Sequence, residues 1–253
     1  MRIDINSDMG ESFGAYTIGH DAGLMASITS ANVAAGFHAG DPSVLRATIR
    51  QAKAHGVAVG AHPGFPDLVG FGRRDLNVAP QEAEDLVLYQ IAAVAGVAAA
   101  EGVTIQHVKP HGALFNMAVR DVELASAIAR AVAAFDTSLI LFGLPGSEIL
   151  TAGRAAGLRV AAEVFADRAY ETDGSLASRR KPGAVIHDPA AVVARAVRMV
   201  KERTVVAIDG STVSLEADTI CVHGDTPGSD DLAAKIRAGL EAAGVIVRPI
   251  GAS

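Results

Sequence analysis

The chain has 253 residues, 20% of them charged, and its formal net charge of −6, with no local run of Lys and Arg, argues against a nucleic-acid partner. Half of the residues are hydrophobic, enough to bury a sizeable core, but aromatic residues are only 4% and Trp is absent, so small side chains must dominate the packing. The single cysteine, Cys221, excludes an internal disulfide and fits a reducing, cytoplasmic setting.

Strand-like apolar runs alternate with helical patterns along the whole chain. The first strand is expected over residues 2–6, directly behind an N-terminus whose Asp4 stands where a signal peptide needs its apolar region. The second covers 31–35, and Asp41-Pro42 then opens a helix whose Val44, Leu45, Thr48, Ile49 and Ala52 share one face, ending at Gly56. A third strand follows at 57–61 and a fourth at 104–109. Between them the most apolar long stretch, 91–100, is too short to span a bilayer, so no membrane partner is expected. Further strands are expected at 139–142, 159–165 and 219–223, with a weaker one at 245–248. Asp188-Pro189 and Thr226-Pro227 open the last two helices. Asp209-Gly210, between 205–208 and 211–215, predicts a small antiparallel hairpin. Such alternation predicts one α/β domain over residues 1–253, a β/α (TIM-like) barrel of seven strands, although the apolar runs alone do not separate seven from eight.

In such a barrel, chemistry sits at the C-terminal ends of the strands. The expected strand ends lead into Asn6, Asp8 and Glu11; Asn32 and His38; His62; Lys109 and His111; Glu163 and Arg168; and His223 and Asp225, mostly beside Gly or Pro. The predicted catalytic set is Asp8, Glu11, His38, His62, Lys109 and His111. The predicted substrate-binding set is Asn6, Asn32, Arg73, Glu163, Arg168, His223 and Asp225. Asp8 and Glu11 read either as a solvated loop or as an acid/base pair, and Asp8 with His38 and His62 reads alternatively as a divalent-metal site. His55 suits a helix C-terminus, His187 and Asp188 suit a helix start, His107 suits a strand face turned to a helix, and Cys221 a small buried hydrophobe.

No P-loop and no dinucleotide-binding glycine motif is present. The segment 64–74 is instead glycine-rich and ends in Arg73 and Arg74. It reads either as an ordinary surface lid or as a loop that closes over an anion. Arg179, Arg180 and Lys181 follow a stretch of similar character.

Taken together, the motifs Asp-Ile-Asn-Ser-Asp-Met-Gly-Glu (4–11), Ser-Ala-Asn-Val-Ala-Ala-Gly-Phe-His-Ala-Gly-Asp-Pro (30–42), Gly-Ala-His-Pro-Gly-Phe-Pro-Asp (60–67), Val-Lys-Pro-His-Gly-Ala-Leu-Phe-Asn (108–116), Glu-Val-Phe-Ala-Asp-Arg-Ala-Tyr (163–170) and Cys-Val-His-Gly-Asp-Thr-Pro-Gly (221–228) resemble the LamB/YcsF family in order and over nearly the full chain. Phe65 and Phe115 stand where that family often has Tyr, and Ala35 where Cys is common, so neither hydroxyl nor thiol chemistry is expected at these places. The resemblance implies a barrel like that of the glycoside hydrolase/deacetylase superfamily. It also implies the A component of an ATP-dependent 5-oxoprolinase, working with B and C subunits on a lactam, with ATP as cosubstrate of the complex. Asp8 or Glu11 would then serve as base, and Lys109, His111 and Arg168 as binders of carboxylate or phosphate. Two other readings stay open: a stand-alone metal-dependent deacetylase or amidohydrolase acting on a sugar or small amide, and a non-catalytic lactam-binding subunit. A homo-oligomer is compatible with any of them.

Overall fold

A computed structural model describes residues 1–178, 181–222, 224 and 228–251. In it the apolar runs and capped segments become β1 (Arg2–Met9), α1 (Asp21–Leu24), β2 (Ser30–Ala34), α2 (Pro42–His55), β3 (Ala58–His62), α3 (Pro80–Ala100), β4 (His107–Val108), α4 (Gly112–Ala118), α5 (Val122–Phe135), β5 (Ile140–Gly143), α6 (Glu148–Ala155), β6 (Arg159–Phe165), α7 (Pro189–Lys201), β7 (Thr204–Val206), β8 (Thr212–Ser214), β9 (Thr219–Val222), α8 (Ser229–Ala242) and β10 (Ile246–Val247). Strands β1 to β6 pair in order, all parallel, and β9 pairs with both β6 and β1, closing a seven-stranded barrel. The weak eighth strand, β10, pairs only with Arg2 and Ile3 at the start of β1, just before β9 takes over that edge at Asp4. It is an outlying strand, and the barrel count stays at seven.

Local chemistry explains the helix starts. Asp41 accepts from the amides of Ser43 and Val44 with Pro42 as the first helical residue, and α2 stops at Gly56 in the left-handed conformation. Asp188 caps α7 in the same way. His187 is exposed at that start, and exposed His55 bonds the Gln51 carbonyl at the end of α2, so both are structural. The hairpin forms as β7 and β8, antiparallel, with the turn tightened where Asp209 accepts from the Ser211 amide. Helix α3 is longer than the stretch 91–100 suggested: its 21 residues meet the length and composition of a membrane span. Ala83, Val87, Ile91, Val94 and Ala98 nevertheless turn one face of it into the protein, where α5 and β3 pack on it.

The barrel interior is polar, which is the main departure from the sequence reading. Strand β1 runs to Met9, three residues beyond its expected end, so Asp8 as well as Asn6 lies on the strand. With period two, Asp4, Asn6 and Asp8 face the lumen while Ile3, Ile5 and Met9 face the helices. His107 also faces inward: its ring stacks on Phe142 with centroids 4.4 Å apart, and its Nε2 lies 2.8 Å from Asn32 Oδ1. The expectation that His107 meets a helix is thereby corrected; it shares a face with Lys109, two residues on.

Candidate active site

Glu11, His38, His62, Lys109, His111 and Phe165 gather at the C-terminal mouth of the barrel, each at or just beyond a strand. The four side chains of Glu11, His38, His62 and His111 are buried and bring one donor atom each within 4.8 Å of the others. His62 Nδ1 lies 2.7 Å from the Lys109 carbonyl and His111 Nε2 lies 2.8 Å from the Phe71 carbonyl. A carbonyl only accepts, so these nitrogens carry protons, and His111 Nδ1, bare in the neutral ring, faces His62 Nε2 at 3.0 Å. Glu11 Oε1 is 3.6 Å from His38 Nε2 and 3.7 Å from His111 Nδ1, and neither ring nitrogen of His38 has a hydrogen-bond partner among the described residues. Donors around a first-row divalent ion stand roughly 3–4 Å apart, and imidazole with carboxylate suits such an ion. The group fits a metal on these grounds. Burial, joined by the neighbouring histidines, lowers His38 well below the ordinary imidazole range, and burial brings His111 to about 3, so both stay neutral as a ligand requires.

The expected metal set was Asp8, His38 and His62. The structure keeps the two histidines together but adds Glu11 and His111 to them, and gives Asp8 a different setting. Asp8 Oδ1 accepts from Lys109 Nζ at 2.7 Å and from Asn32 Nδ2 at 2.9 Å, with His62 Nε2 at 3.3 Å. Burial raises the Asp8 carboxyl, but His62 and the Lys109 ammonium outweigh it and hold the group well below the ordinary carboxylate range.

Lys109 has three protons and three neighbours for them: Asp8 Oδ1, Glu163 Oε1 at 3.1 Å and Cys221 Sγ at 3.0 Å. Against the burial that lowers it, these partners keep the ammonium charged well above its usual range. Lys109 therefore anchors carboxylates of the protein itself while also lining the adjacent cavity. Glu163 is likewise an interior partner, fully buried, with its carboxyl raised chiefly by burial. Asn6 and Asn32 are fully buried beneath Asp8 and bond to each other, so neither is placed to touch a substrate.

A cavity of about 470 Å³ opens beside this cluster, lined by Asp8, His62, Lys109 and His111 on one side and by Arg73 and Arg168 elsewhere. Phe115, Val119, Leu144, Phe165 and Leu176 supply an apolar wall that the sequence reading did not anticipate, because they come from separate elements that meet only in the fold. Arg168 is buried and donates through Nη2 to the Ala177 carbonyl at 2.7 Å, which fixes its fork at the cavity wall. The glycine-rich segment packs against His38 and His111. Arg74 pairs with Asp67, holding that carboxyl at about 2, so of the two adjacent arginines it is Arg73 that lines the cavity. Phe71 takes φ +55°, an uncommon value for a bulky residue, and in doing so aims its carbonyl at His111. Gly72 packs so tightly that a Cβ there would lie 2.6 Å from the Cβ of His38. Lys181 pairs with Glu171. His223, Asp225, Thr226, Pro227, Arg179 and Arg180 lie outside the described residues.

Comparison with known proteins agrees over the full length. A family model described as "LamB/YcsF family" matches residues 3–253. A protein of Tolumonas auensis, named as the A component of 5-oxoprolinase, is 56% identical over 247 residues, covering 98% of each chain. The crystal structure of a lactam utilization protein from Thermus thermophilus superposes with a TM-score of 0.94 at 52% identity, covering 98% of this chain and 99% of that one. A polysaccharide deacetylase from Bacillus cereus, at 12% identity and a TM-score of 0.51 over 97% of this chain and 91% of that one, shares the fold alone.

Proposed function

From a chain that belongs to the LamB/YcsF family, we propose the ring-opening component of an ATP-dependent 5-oxoprolinase, which converts 5-oxoproline to glutamate together with B and C subunits. The observation that carries the proposal is one cavity that brings an ionised, lysine-anchored Asp8 together with Arg73, Arg168 and a set of apolar side chains. A five-membered lactam bearing a carboxylate needs both features: Phe115, Val119 and Phe165 for its methylenes, and Arg168 or Arg73 for its anion.

An unstrained amide resists water at neutral pH. Transfer of the γ-phosphoryl group of ATP to its oxygen would make the ring carbon electrophilic, and this chain carries no P-loop for that step, which falls to the partner subunits. Asp8 then takes a proton from the water that adds to the activated carbon. The ring C–N bond breaks as its nitrogen gains a proton, and a second water frees phosphate from the acyl phosphate. Lys109 keeps Asp8 ionised, and Arg73 faces the added phosphate charge. Glu11, His38, His62 and His111 would hold a divalent ion, which would supply Lewis-acid stabilisation of charge developing on oxygen.

The same four residues favour one rival, a metal-dependent deacetylase or amidohydrolase that works alone. Glutamate release from 5-oxoproline separates the two. The proposal expects release only from the mixture of this chain, its B and C partners and ATP. Amide hydrolysis by the isolated chain loaded with a divalent metal, with no gain from partners or ATP, would support the rival instead.

A further inference from the structure

We infer that His107 and Asn32 are positioning residues that orient Asp8 through a hydrogen-bonded row crossing the barrel lumen; the inference rests on the reading of Asp8 as the group that takes the proton from water. Strand register lines the residues up. Asp8 is opposite Asn32, Asn32 opposite Gly60, and Gly60 opposite His107, so four adjacent strands present one row to the interior. Gly60 is the gap in that row. A Cβ there would stand 2.2 Å from His107 Nε2, and only its absence lets the imidazole cross β3 to reach Asn32.

The direction of every hydrogen bond in the row follows from its neighbours. Thr219 donates to Asp4, so its oxygen accepts from Asn6 Nδ2 at 2.7 Å, and Asn6 Oδ1 is left facing Asn32. One end of Asn32 therefore meets two oxygens, Asn6 Oδ1 at 2.7 Å and Asp8 Oδ1 at 2.9 Å, and must be its NH₂. Its oxygen then meets His107 Nε2, which must carry the proton. Burial holds His107 at about 3, so the ring is neutral, and Nδ1, without a hydrogen-bond partner among the described residues, is the bare nitrogen. Stacking on Phe142 fixes the ring plane. With Asn32 and Lys109 both holding Oδ1, Asp8 cannot rotate, and the 12% of its side chain still exposed keeps a constant aspect toward the cavity. His107 does not line the cavity; it acts on Asp8 through Asn32, holding the amide oxygen while Asn6 and Asp8 accept from the NH₂.

The test is steady-state glutamate formation from 5-oxoproline by this chain with its partner subunits and ATP. His107→Ala and Asn32→Ser are expected to lower kcat roughly 10- to 100-fold with KM changed little, because a misplaced Asp8 costs rate and not affinity. His107→Gln, whose Nε2 can donate to Asn32 from a similar reach, is expected to recover most of the loss. In an Asp8→Asn background, Asn32→Ser is expected to cost much less than it does in the native chain. Turnover unaffected by Asp8→Asn would overturn the reading of Asp8 itself. Loss with Asp8→Asn, but equal effects of Asn32→Ser in both backgrounds or no rescue by His107→Gln, would overturn the positioning role alone. If His107→Ala does not fold, the Asn32→Ser cycle decides the matter.

Discussion

Replacing Lys109 by Met removes one ammonium from the barrel interior while keeping most of the side-chain volume. The ammonium lies 2.7 Å from Asp8 and 3.1 Å from Glu163. At an effective dielectric constant near 20, each pair attracts by about 5–6 kcal/mol. Burying three ions costs several kcal/mol apiece, so the intact cluster is close to neutral for stability. Its broken form is not, because the variant leaves two carboxylates buried with no cation between them, a loss of about 3–5 kcal/mol. For a chain of this size that is a fall in Tm of roughly 6–20 °C. Urea unfolding of the isolated chain, with a thermal melt beside it, measures both quantities. A Lys109→Met chain melting within about 2 °C of the native one would refute the view that Lys109 is the anchor of these carboxylates.

Asp4 is buried, and although Thr219, Thr29 and Ser30 bond to it, burial raises its carboxyl to about 6. A folded-state value above the unfolded one of 3.8 means that stability is full below pH 4 and is lost as pH rises through 6. Relative to an Asp4→Asn variant, the native chain should lose on the order of 3 kcal/mol between pH 4 and pH 8, measured by urea unfolding; a constant difference would show that Asp4 does not titrate there. The purified chain should take up one equivalent of a first-row divalent ion by calorimetry and melt about 5–10 °C higher with the ion in large excess over its Kd. Glu11→Gln should weaken that uptake at least tenfold, and equal uptake would remove Glu11 from the ligand set. Arg168→Gln should raise KM for 5-oxoproline by about tenfold or more with a smaller change in kcat, since a charged hydrogen bond contributes about 1.5–3 kcal/mol; an unchanged KM would move the anion site to Arg73.

The sequence reading placed most strands within two residues because apolar runs and capping pairs such as Asp41-Pro42 are local signals. It missed the length of β1 because Ser7 and Asp8 look like a polar loop; only the alternation with Ile3, Ile5 and Met9 shows that they continue a strand with a wet interior. The four-residue site at the mouth was visible as strand-end residues, but not as a grouping, since Glu11 and His111 are 100 residues apart and meet only through barrel closure. The ion pairs of Lys109 were hidden for a similar reason: its carboxylate partners come from β1 and β6, and nothing near it in sequence shows that they meet its ammonium. Gly60, unremarkable in a strand, becomes legible only once register sets it between Asn32 and His107.

The most direct test of ring opening in this pocket is the rate of glutamate formation by an Asp8→Asn chain in the complete mixture with partner subunits, ATP and 5-oxoproline. A fall of about 100-fold or more, in a variant that keeps its fold and its association with the partners, is the predicted result. A rate within threefold of the native chain would place the water-activating group elsewhere and contradict the proposed role of Asp8.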